Sequence, residues 1–356
     1  MGRAEIARSL SLSTQAVSNI IADLKDDGYL VEMGRVSAGR GLPAVQYAVN
    51  PGGGYAFGIE IRPDAVFAAL LDLQGQIITT LRRKLSDPGP EAVLKTVVEL
   101  RDAAIKNAPD IGSRMLGVGI VMPGPVGTTG ISDFSTDLHG WQEVDAHMLF
   151  ADALGMPIEV NNDANAAAMA EQVTGVARGL STYAYLYFGA GLGLGLVSNG
   201  QLISGAFGNA GEIGHIPVLS GGRTLESALS RLSVQRYLNA AGKNADDFTS
   251  LERLFAERDS DILDWLDQAC DALSRAVGIV ENLFDPQTIV LGGAMPGPML
   301  EYLARHTYLP DVSVSHRPNA DHPRLTLGAT GRLTATLGAA ALVLNNTLTP
   351  LIAHTN

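Results

Sequence analysis

The chain has 356 residues, a formal charge of −12, and hydrophobic residues at 46% against charged residues at 17%, which fits a globular protein of two or three domains around large cores. No run of about 18 uninterrupted apolar residues suggests a membrane span, and no basic, apolar leader opens the chain, since Ala4 to Leu10 carries Glu5 and Arg8 within a helical pattern; a cytoplasmic protein is expected. Cys270 is the single cysteine, which excludes an internal disulfide and a cysteine-rich zinc site.

The overall charge argues against a nucleic-acid coat but hides a difference between segments. Residues 1–50 carry Arg3, Arg8, Lys25, Arg35 and Arg40 against Glu5, Asp23, Asp26, Asp27 and Glu32, which cancel, so the remainder carries the whole −12. Any DNA contact must be local to the N-terminal arm. Ala4, Ile6, Ala7 and Leu10 repeat at helical spacing, and Ser11 to Ser13 interrupt the pattern. A second helix follows, capped by Ser13 or Thr14, with Val17, Ile20, Ile21 and Leu24 as its apolar face and Gly28 as its stop. Tyr29 to Val31 and Val45 to Val49 read as strands, joined by a loop from Gly34 to Pro43 with three glycines, Arg35, Arg40 and no acid.

Helix, turn, helix and hairpin in that order spell a winged helix-turn-helix over residues 1–50, beginning at what is normally the motif's second helix. Ser13, Thr14, Gln15, Ser18 and Asn19 lie at the start and on the exposed face of the second helix, where amides pair with adenine edges. Arg35 and Arg40 suit phosphates or a minor groove. The same elements would also serve as a packing module that touches no DNA.

Residues 51–54 form a linker by composition, and an α/β body occupies 55–356. Ala56 to Ile61, Ala65 to Leu71 and Gln76 to Leu85 predict three strands, followed by a helix from Glu91 to Asn107 and a strand from Leu116 to Val121. Tyr183 to Phe188, Gly193 to Ser198 and Gln201 to Ser204 repeat the meander, with helices from about Arg223 and a strand from Thr288 to Leu291. Such a duplication describes a two-lobed body of the actin and sugar-kinase, ribonuclease H-like type, with a cleft between lobes. The lobe boundary is expected near 170–180, with the C-terminal helix returning to the first lobe. Leu251 to Leu266 suits either a subunit contact or a buried core helix.

Asn161 to Asn165 sits where a strand ends and a helix begins, the usual place for a ligand in an α/β fold. Asp163 there would accept a hydrogen bond from a sugar hydroxyl, or act as the base of a phosphoryl transfer. Asn162 and Asp163 also suit a helix cap. Glu212 and His215 fall on a glycine-rich turn, and Glu226 follows His215 by eleven residues. Two carboxylates, an amide and an imidazole offer the mixed donors and acceptors that a polyhydroxyl ligand needs.

Five segments in order, Gly119 to Val126 (GIVMPGPV), Asn161 to Ala166 (NNDANA), Gly189 to Gly195 (GAGLGLG), Gly211 to His215 (GEIGH) and Ile289 to Gly293 (IVLGG), resemble the successive motifs of the ROK family of repressors, open reading frames and kinases over residues 55–345. The arm resembles that of the family's repressors, the xylose and N-acetylglucosamine repressors among them. The resemblance implies that Asn162, Asp163, Glu212, His215 and Glu226 occupy sugar-contacting positions and that Gly124 lies in the sugar-proximal loop.

The chain departs from the family's kinases at two places. Their first hairpin turn carries an acidic residue followed by Gly-Gly-Thr, whereas this chain reads Glu60, Ile61, Arg62, Pro63, Asp64. Proline lacks an amide donor and Asp64 adds a negative charge where ATP phosphate should sit, so ATP is not expected as a cofactor. The second turn keeps Gly189, Gly191, Gly193 and Gly195 but has Ala190 where a hydroxyl residue is usual. The family's zinc-binding cysteines are missing, since Ile216 to Leu225 contains none, so zinc is not expected either. The expected function is a sugar-responsive repressor with operator DNA and a sugar as partners, acting as a homodimer or higher homo-oligomer and holding no catalytic residue. The alternatives are a sugar kinase with a vestigial arm, for which Asp163 would be the base, and a scaffold that uses neither DNA nor ATP.

Overall fold

The computed structural model describes residues 1–36, 44–106, 109–124, 138, 140–141, 144–218, 220–317, 319–329 and 331–348. At the N-terminus, helices α1 (Arg3–Ser9) and α2 (Thr14–Asp26) pack on an antiparallel pair, β1 (Leu30–Val36) and β2 (Ala44–Val49), bulged between Glu32 and Arg35. Ser13 caps α2 by accepting the Ala16 amide at 3.2 Å, and Gly28, at φ +82°, ends the turn that follows. The small core is built on Ala7, Val17, Ile21 and Tyr47. Ile20, expected on the apolar face of α2, is 45% exposed, because the sheet is only two strands wide and covers little more than the line of Val17 and Ile21.

The glycine-rich stretch after β2 forms a tied joint. Pro51–Gly53 makes a single 3-10 turn. The Asn50 side chain donates to the Gly28 carbonyl (2.8 Å), and the Gln74 side chain donates to that of Val49 (3.1 Å). Arg114 donates to the Gly53 and Asp27 carbonyls at 3.1 and 3.4 Å. Arm and body are thereby fastened through backbone acceptors.

The body begins with a meander, β3 (Tyr55–Arg62), β4 (Ala65–Asp72) and β5 (Ile77–Lys84). Strand β4 is apolar on both faces because both are covered, whereas β5 is an edge whose exposed Arg82, Arg83 and Lys84 discourage pairing with another chain. Helices α3 (Pro90–Ile105) and α4 (Pro109–Ser113) lead to β6 (Met115–Val121), parallel to β3, and α5 (Ala146–Leu154) leads to β7 (Ile158–Asn161), parallel to β6. Helix α6 (Asp163–Val173) closes this lobe.

The second lobe repeats the plan. Strands β8 (Tyr183–Phe188), β9 (Leu192–Ser198) and β10 (Gln201–Leu202) form a meander. It is followed by α7 (Glu226–Leu229), α8 (Arg231–Ala240), α9 (Phe248–Ala256) and the long α10 (Ser260–Phe284). Strand β11 (Ile289–Gly293) pairs parallel with β8, α11 (Gly297–His306) crosses over, and β12 (Leu325–Leu327) adds parallel to β11 before α12 (Thr334–Leu348). The two five-stranded sheets have orders β5-β4-β3-β6-β7 and β10-β9-β8-β11-β12, the same topology twice. Leu251, Leu254, Ile262, Trp265 and Leu266 are buried in the second lobe's core, which resolves that segment as internal packing.

Helices α6 and α12 lie between the sheets, and their composition follows from that position. Ala164, Ala166, Ala167, Ala168 and Ala170 are all buried. Only small side chains let a helix pack on every side at once. A Cβ on Gly338 of α12 would overlap the Ala166 carbonyl of α6, and one on Gly119 of β6 would overlap that of Ala339. The C-terminal helix thus returns across the first sheet.

Candidate functional site

Strand β7 delivers the chain to the N-terminus of α6 at the inner face of the first lobe. Asn162, 7% exposed, caps α6 by accepting the Asn165 amide at 2.8 Å. The Asn161 side chain in turn accepts from the Asn162 amide (3.0 Å) and from the Asn165 side chain (2.8 Å). The cap and ligand readings are therefore compatible, since capping engages the Asn162 oxygen and not its amide nitrogen, which lies 3.9 Å from where a Cβ on Gly124 would stand. Glu212 Oε1 reaches the same point at 3.5 Å, so Gly124, Asn162 and Glu212 meet although they come from three segments.

Asp163 is the most perturbed carboxyl in the cleft. Its Oδ1 accepts the Ala164 amide at 2.9 Å, and its Oδ2 would lie 3.5 Å from a Cβ on Gly189 of the opposite lobe. Burial, then the negative charges of Glu60 and Glu212, push its pKa up to about 7. Near neutrality it interconverts between carboxyl and carboxylate, which suits a group that accepts or relays a hydroxyl proton.

From the second lobe, Glu212 and His215 flank the short turn after β10, with His215 Nε2 3.6 Å from Glu212 Oε2. Burial raises the Glu212 pKa, His215 opposes this, and Glu226 adds to it. Glu226 opens α7 and accepts the Leu192 amide at 3.2 Å. A Cβ on Gly191 would overlap its carboxylate, so Glu226 clasps the glycine turn of β8 and β9 as well as facing Glu212.

Three cleft residues escaped the motif reading. Glu60 is buried at the end of β3, accepts from Arg62 Nε (2.6 Å) and from Thr336 Oγ1 of α12 (2.6 Å), and acts electrostatically on Asp163. As the one acid in β3, it was the visible signal. Tyr187 is buried, and burial followed by the charges of Asp163 and Glu60 raises its hydroxyl pKa well above normal. Arg62 folds over the first hairpin turn, stacks on Phe67 with 4.3 Å to the ring centre and donates to the Arg332 carbonyl at 3.2 Å. A side chain and a proline ring thus occupy the turn where a phosphate cradle would need bare backbone amides.

The second turn is also committed internally. The Arg231 amide donates to the Gly189 carbonyl (3.0 Å) and that of Leu232 to the Ala190 carbonyl (3.4 Å), so the start of α8 is bonded to this loop. Among the described residues no group of three or more His, Cys, Asp or Glu side chains could hold a metal ion. Cys270 is buried in the second-lobe core, so the residues present do not fit a thiolate zinc centre.

On the arm, Ser13, Thr14, Gln15 and Asn19 are exposed and Ser18 is partly so. Gln15 donates to Asn19 across one turn at 3.1 Å, and Ser18 bonds the Thr14 carbonyl at 2.8 Å. Arg35 is exposed on β1, while Arg40 lies outside the described residues. The DNA candidates therefore occupy a different surface from the cleft.

This architecture, two like-folded lobes around a polar cleft, is that of the actin-like α/β class of sugar kinases and repressors. Within it, the ROK family model matches residues 56–346, and the chain belongs to the ROK family. The xylose repressor of Bacillus spizizenii is 26% identical over 218 residues, covering 61% of this chain and 56% of the repressor, little more than half of that relative's length. Among solved structures, a ROK family transcriptional regulator described as a homologue of the E. coli Mlc protein aligns with a TM-score of 0.75 and 23% identity, covering 97% of this chain and 91% of its own. The ROK hexokinase of Thermus thermophilus aligns with a TM-score of 0.64 and 26% identity, covering 81% of this chain and 97% of its own. Among the described residues no helix is long and apolar enough to cross a membrane.

Proposed function

We propose that the chain is a sugar-responsive transcriptional repressor of the cytoplasm. The arm, read as a winged helix-turn-helix, binds operator DNA through Ser13, Thr14, Gln15, Ser18, Asn19, Arg35 and Arg40. The cleft binds a sugar through Gly124, Asn162, Asp163, Glu212, His215 and Glu226, without zinc or ATP. The observation that carries this reading is the filled first turn, where Arg62 bonded to Glu60 stands beside Pro63 while the polar groups of the neighbouring sugar cleft remain convergent. The likeness to the Mlc homologue runs through the arm, whereas that to the hexokinase leaves part of this chain uncovered, and the name of the Bacillus relative points the same way.

The route from ligand to DNA follows β6. Its C-terminal end continues to Gly124, and Arg114, just before its N-terminal end, holds the carbonyls of Asp27 and Gly53. A sugar that closes the lobes around Asp163 and Glu212 shifts this strand and re-aims α2. It does so only to the extent that it binds one lobe arrangement more tightly than the other. In a homodimer with paired half-sites, a small rotation of each arm breaks simultaneous docking. The test is an electrophoretic shift on the chain's own upstream DNA with a sugar panel. Operator binding that one sugar relieves supports the reading, and binding indifferent to every sugar and sugar phosphate removes inducer control.

A second reading, sugar kinase, is favoured by the Asp163 pKa of about 7. ATP consumption on the same panel decides it, since sugar-dependent turnover that disappears in Asp163→Asn makes the protein an enzyme.

A further inference from the structure

The chain passes from the first lobe to the second after α6 and comes back after β12. Both connections run past one side chain, Glu171, which stands near the C-terminal end of α6 and is 0% exposed. On the outward connection the Glu171 carbonyl accepts the amides of Gly175 and Ala177, each at 3.1 Å, and its Oε2 accepts that of Val176 at 2.8 Å. Three consecutive amides thus close on a single residue. On the return, Gly328 lies against the other carboxylate oxygen, since a Cβ there would stand 2.6 Å from Oε1.

The glycines follow from the carboxylate. A Cβ on Gly175 would overlap Oε2 at 1.9 Å, and neither Gly175 nor Gly328 has a positive φ, so the space taken by Glu171 demands them and the backbone conformation does not. Removing a carboxylate from water is costly, and an apolar side chain would fill the same volume without that cost. It would not bond an amide of one connection while bearing on the other. The far side of each connection is fixed to the second lobe. The Gln287 side chain, two residues before β11, accepts the amides of Ser181 and Thr182, each at 2.9 Å, and the Gly328 amide donates to the Leu291 carbonyl of β11 at 2.9 Å.

We propose that Glu171 is the pivot on which the two lobes turn. Because both connections meet its carboxylate, the second lobe rotates about a point near that group, whereas sliding or separation would draw Val176 or Gly328 away from it. The inference rests on the reading that a sugar closes the cleft, and it adds what keeps closure a single motion. A ligand redistributes a protein between defined arrangements, so a cleft that closes along one path passes the effect of a bound sugar to the arm and a loosely hinged one does not. Glu171 is a positioning residue, acting on Asp163 and Glu212 only through the angle between their lobes.

The test is pulsed electron paramagnetic resonance on the full chain, with nitroxides at Thr80→Cys on the exposed edge strand β5 and at Glu252→Cys on α9, in a Cys270→Ala background that removes the single native cysteine. The probe sugars are D-xylose, D-glucose and N-acetylglucosamine. The labelled parent should give one narrow distribution of distances between the lobes, which one of these sugars shifts. In Glu171→Ala the distribution without sugar should widen roughly twofold. Gly328→Ala, which drives a methyl group onto the carboxylate, should widen it as well, but should add little where Glu171→Ala has already removed the obstacle. Circular dichroism establishes which variants are folded, and Glu171→Gln, which keeps the length and one acceptor for Val176, should widen the distribution less and serves if Glu171→Ala does not fold. Unchanged width in every folded Glu171 variant overturns the pivot, as does a Gly328→Ala effect that is the same with and without Glu171. A wider distribution in Glu171→Ala, with none of the sugars shifting the parent, would sustain the pivot while removing closure by those sugars.

Discussion

The two lobes share one strand order but treat their first hairpin turn in opposite ways. Between β8 and β9 the turn keeps Gly189 and Gly191, and it does so for contacts inside the protein, because Glu226 and the start of α8 occupy its backbone. Between β3 and β4 the corresponding turn carries a long cation, a ring and an anion in Arg62, Pro63 and Asp64. The glycine turn is held by internal packing whatever the fate of the nucleotide. The other is filled by its own side chains, with Arg62 bonded to Glu60 and to the Arg332 carbonyl. A glycine motif whose backbone is engaged inside the protein is therefore weak evidence by itself for a ligand.

The largest expected effect tests what both lobes share, the crossing of α6 and α12. Gly338→Val forces side-chain atoms into the Ala166 carbonyl and should cost about 4 kcal/mol or more, since a backbone obstacle cannot rotate away. Gly278→Ala on α10 meets nothing within 4 Å and should gain roughly 0.5 kcal/mol from helix propensity. Urea unfolding of the two variants checks the contrast, and equal stabilities would mean that the lobes are not held by that crossing.

Next comes Asp163. Asp163→Asn keeps the shape but removes the carboxylate, and it should weaken binding of the effective sugar by about a hundredfold, the worth of a charge-assisted hydrogen bond in a low-dielectric cleft. The pH dependence has a definite sign. A hydroxyl donating to Asp163 favours the charged form, so binding expels a proton wherever the free group is protonated. Affinity should be flat above about pH 7, the raised pKa, and fall by up to about tenfold per unit below it. In Asp163→Asn that component of the slope should vanish. The stability term has its own sign: the folded state retains a proton that the unfolded chain releases from about 3.8 upward, so ionisation of Asp163 costs stability as pH rises toward 7. Thermal melts at pH 5 and pH 8 should show Asp163→Asn gaining on wild type at the higher pH.

A smaller effect would restore the lost resemblance between the turns. Replacing Arg62, Pro63 and Asp64 together by Gly, Gly and Thr returns one amide donor, adds a hydroxyl and removes the long side chain and the anion that crowd the turn. If the turn alone excludes nucleotide, magnesium ATP at ten times its dissociation constant should stabilise this variant by about 1.4 kcal/mol and leave wild type unmoved. Equal stabilisation of both proteins would show that the turn never blocked the nucleotide.

Much of this layout is legible in sequence because strands and helices write local patterns. The repeated meander and a cap at Ser13 or Thr14 can be read from neighbouring residues alone, and the structure places the cap at Ser13. Contacts between distant segments leave no such trace. Nothing in the spacing tells that Glu60 bonds Thr336 across 276 positions, or that Arg62 turns back on Glu60 instead of reaching into solvent. In the cleft, ordered motifs located Gly124, Asn162 and Glu212, which do meet, but Arg62 and Arg332, which also meet, come from segments that share no motif. Composition likewise reads Pro51 to Gly54 as a linker, since it cannot record that Arg114, just before β6, bonds the Gly53 carbonyl.

That tie yields the smallest and most specific prediction. Arg114 bonds two carbonyls of the arm and joint while standing just before the strand that runs to Gly124. Arg114→Ala should leave affinity for operator and for sugar, each measured alone, within about threefold. The coupling between them should shrink by about 1 kcal/mol, or roughly fivefold in the loss of operator affinity that sugar produces. Gln74→Ala is the matched control, because Gln74 also bonds the arm, at the Val49 carbonyl, but from the β4–β5 turn and not from the strand leading to the cleft. If Gln74→Ala weakens the sugar response as much as Arg114→Ala does, the arm is steered by the joint as a whole and β6 has no privileged role.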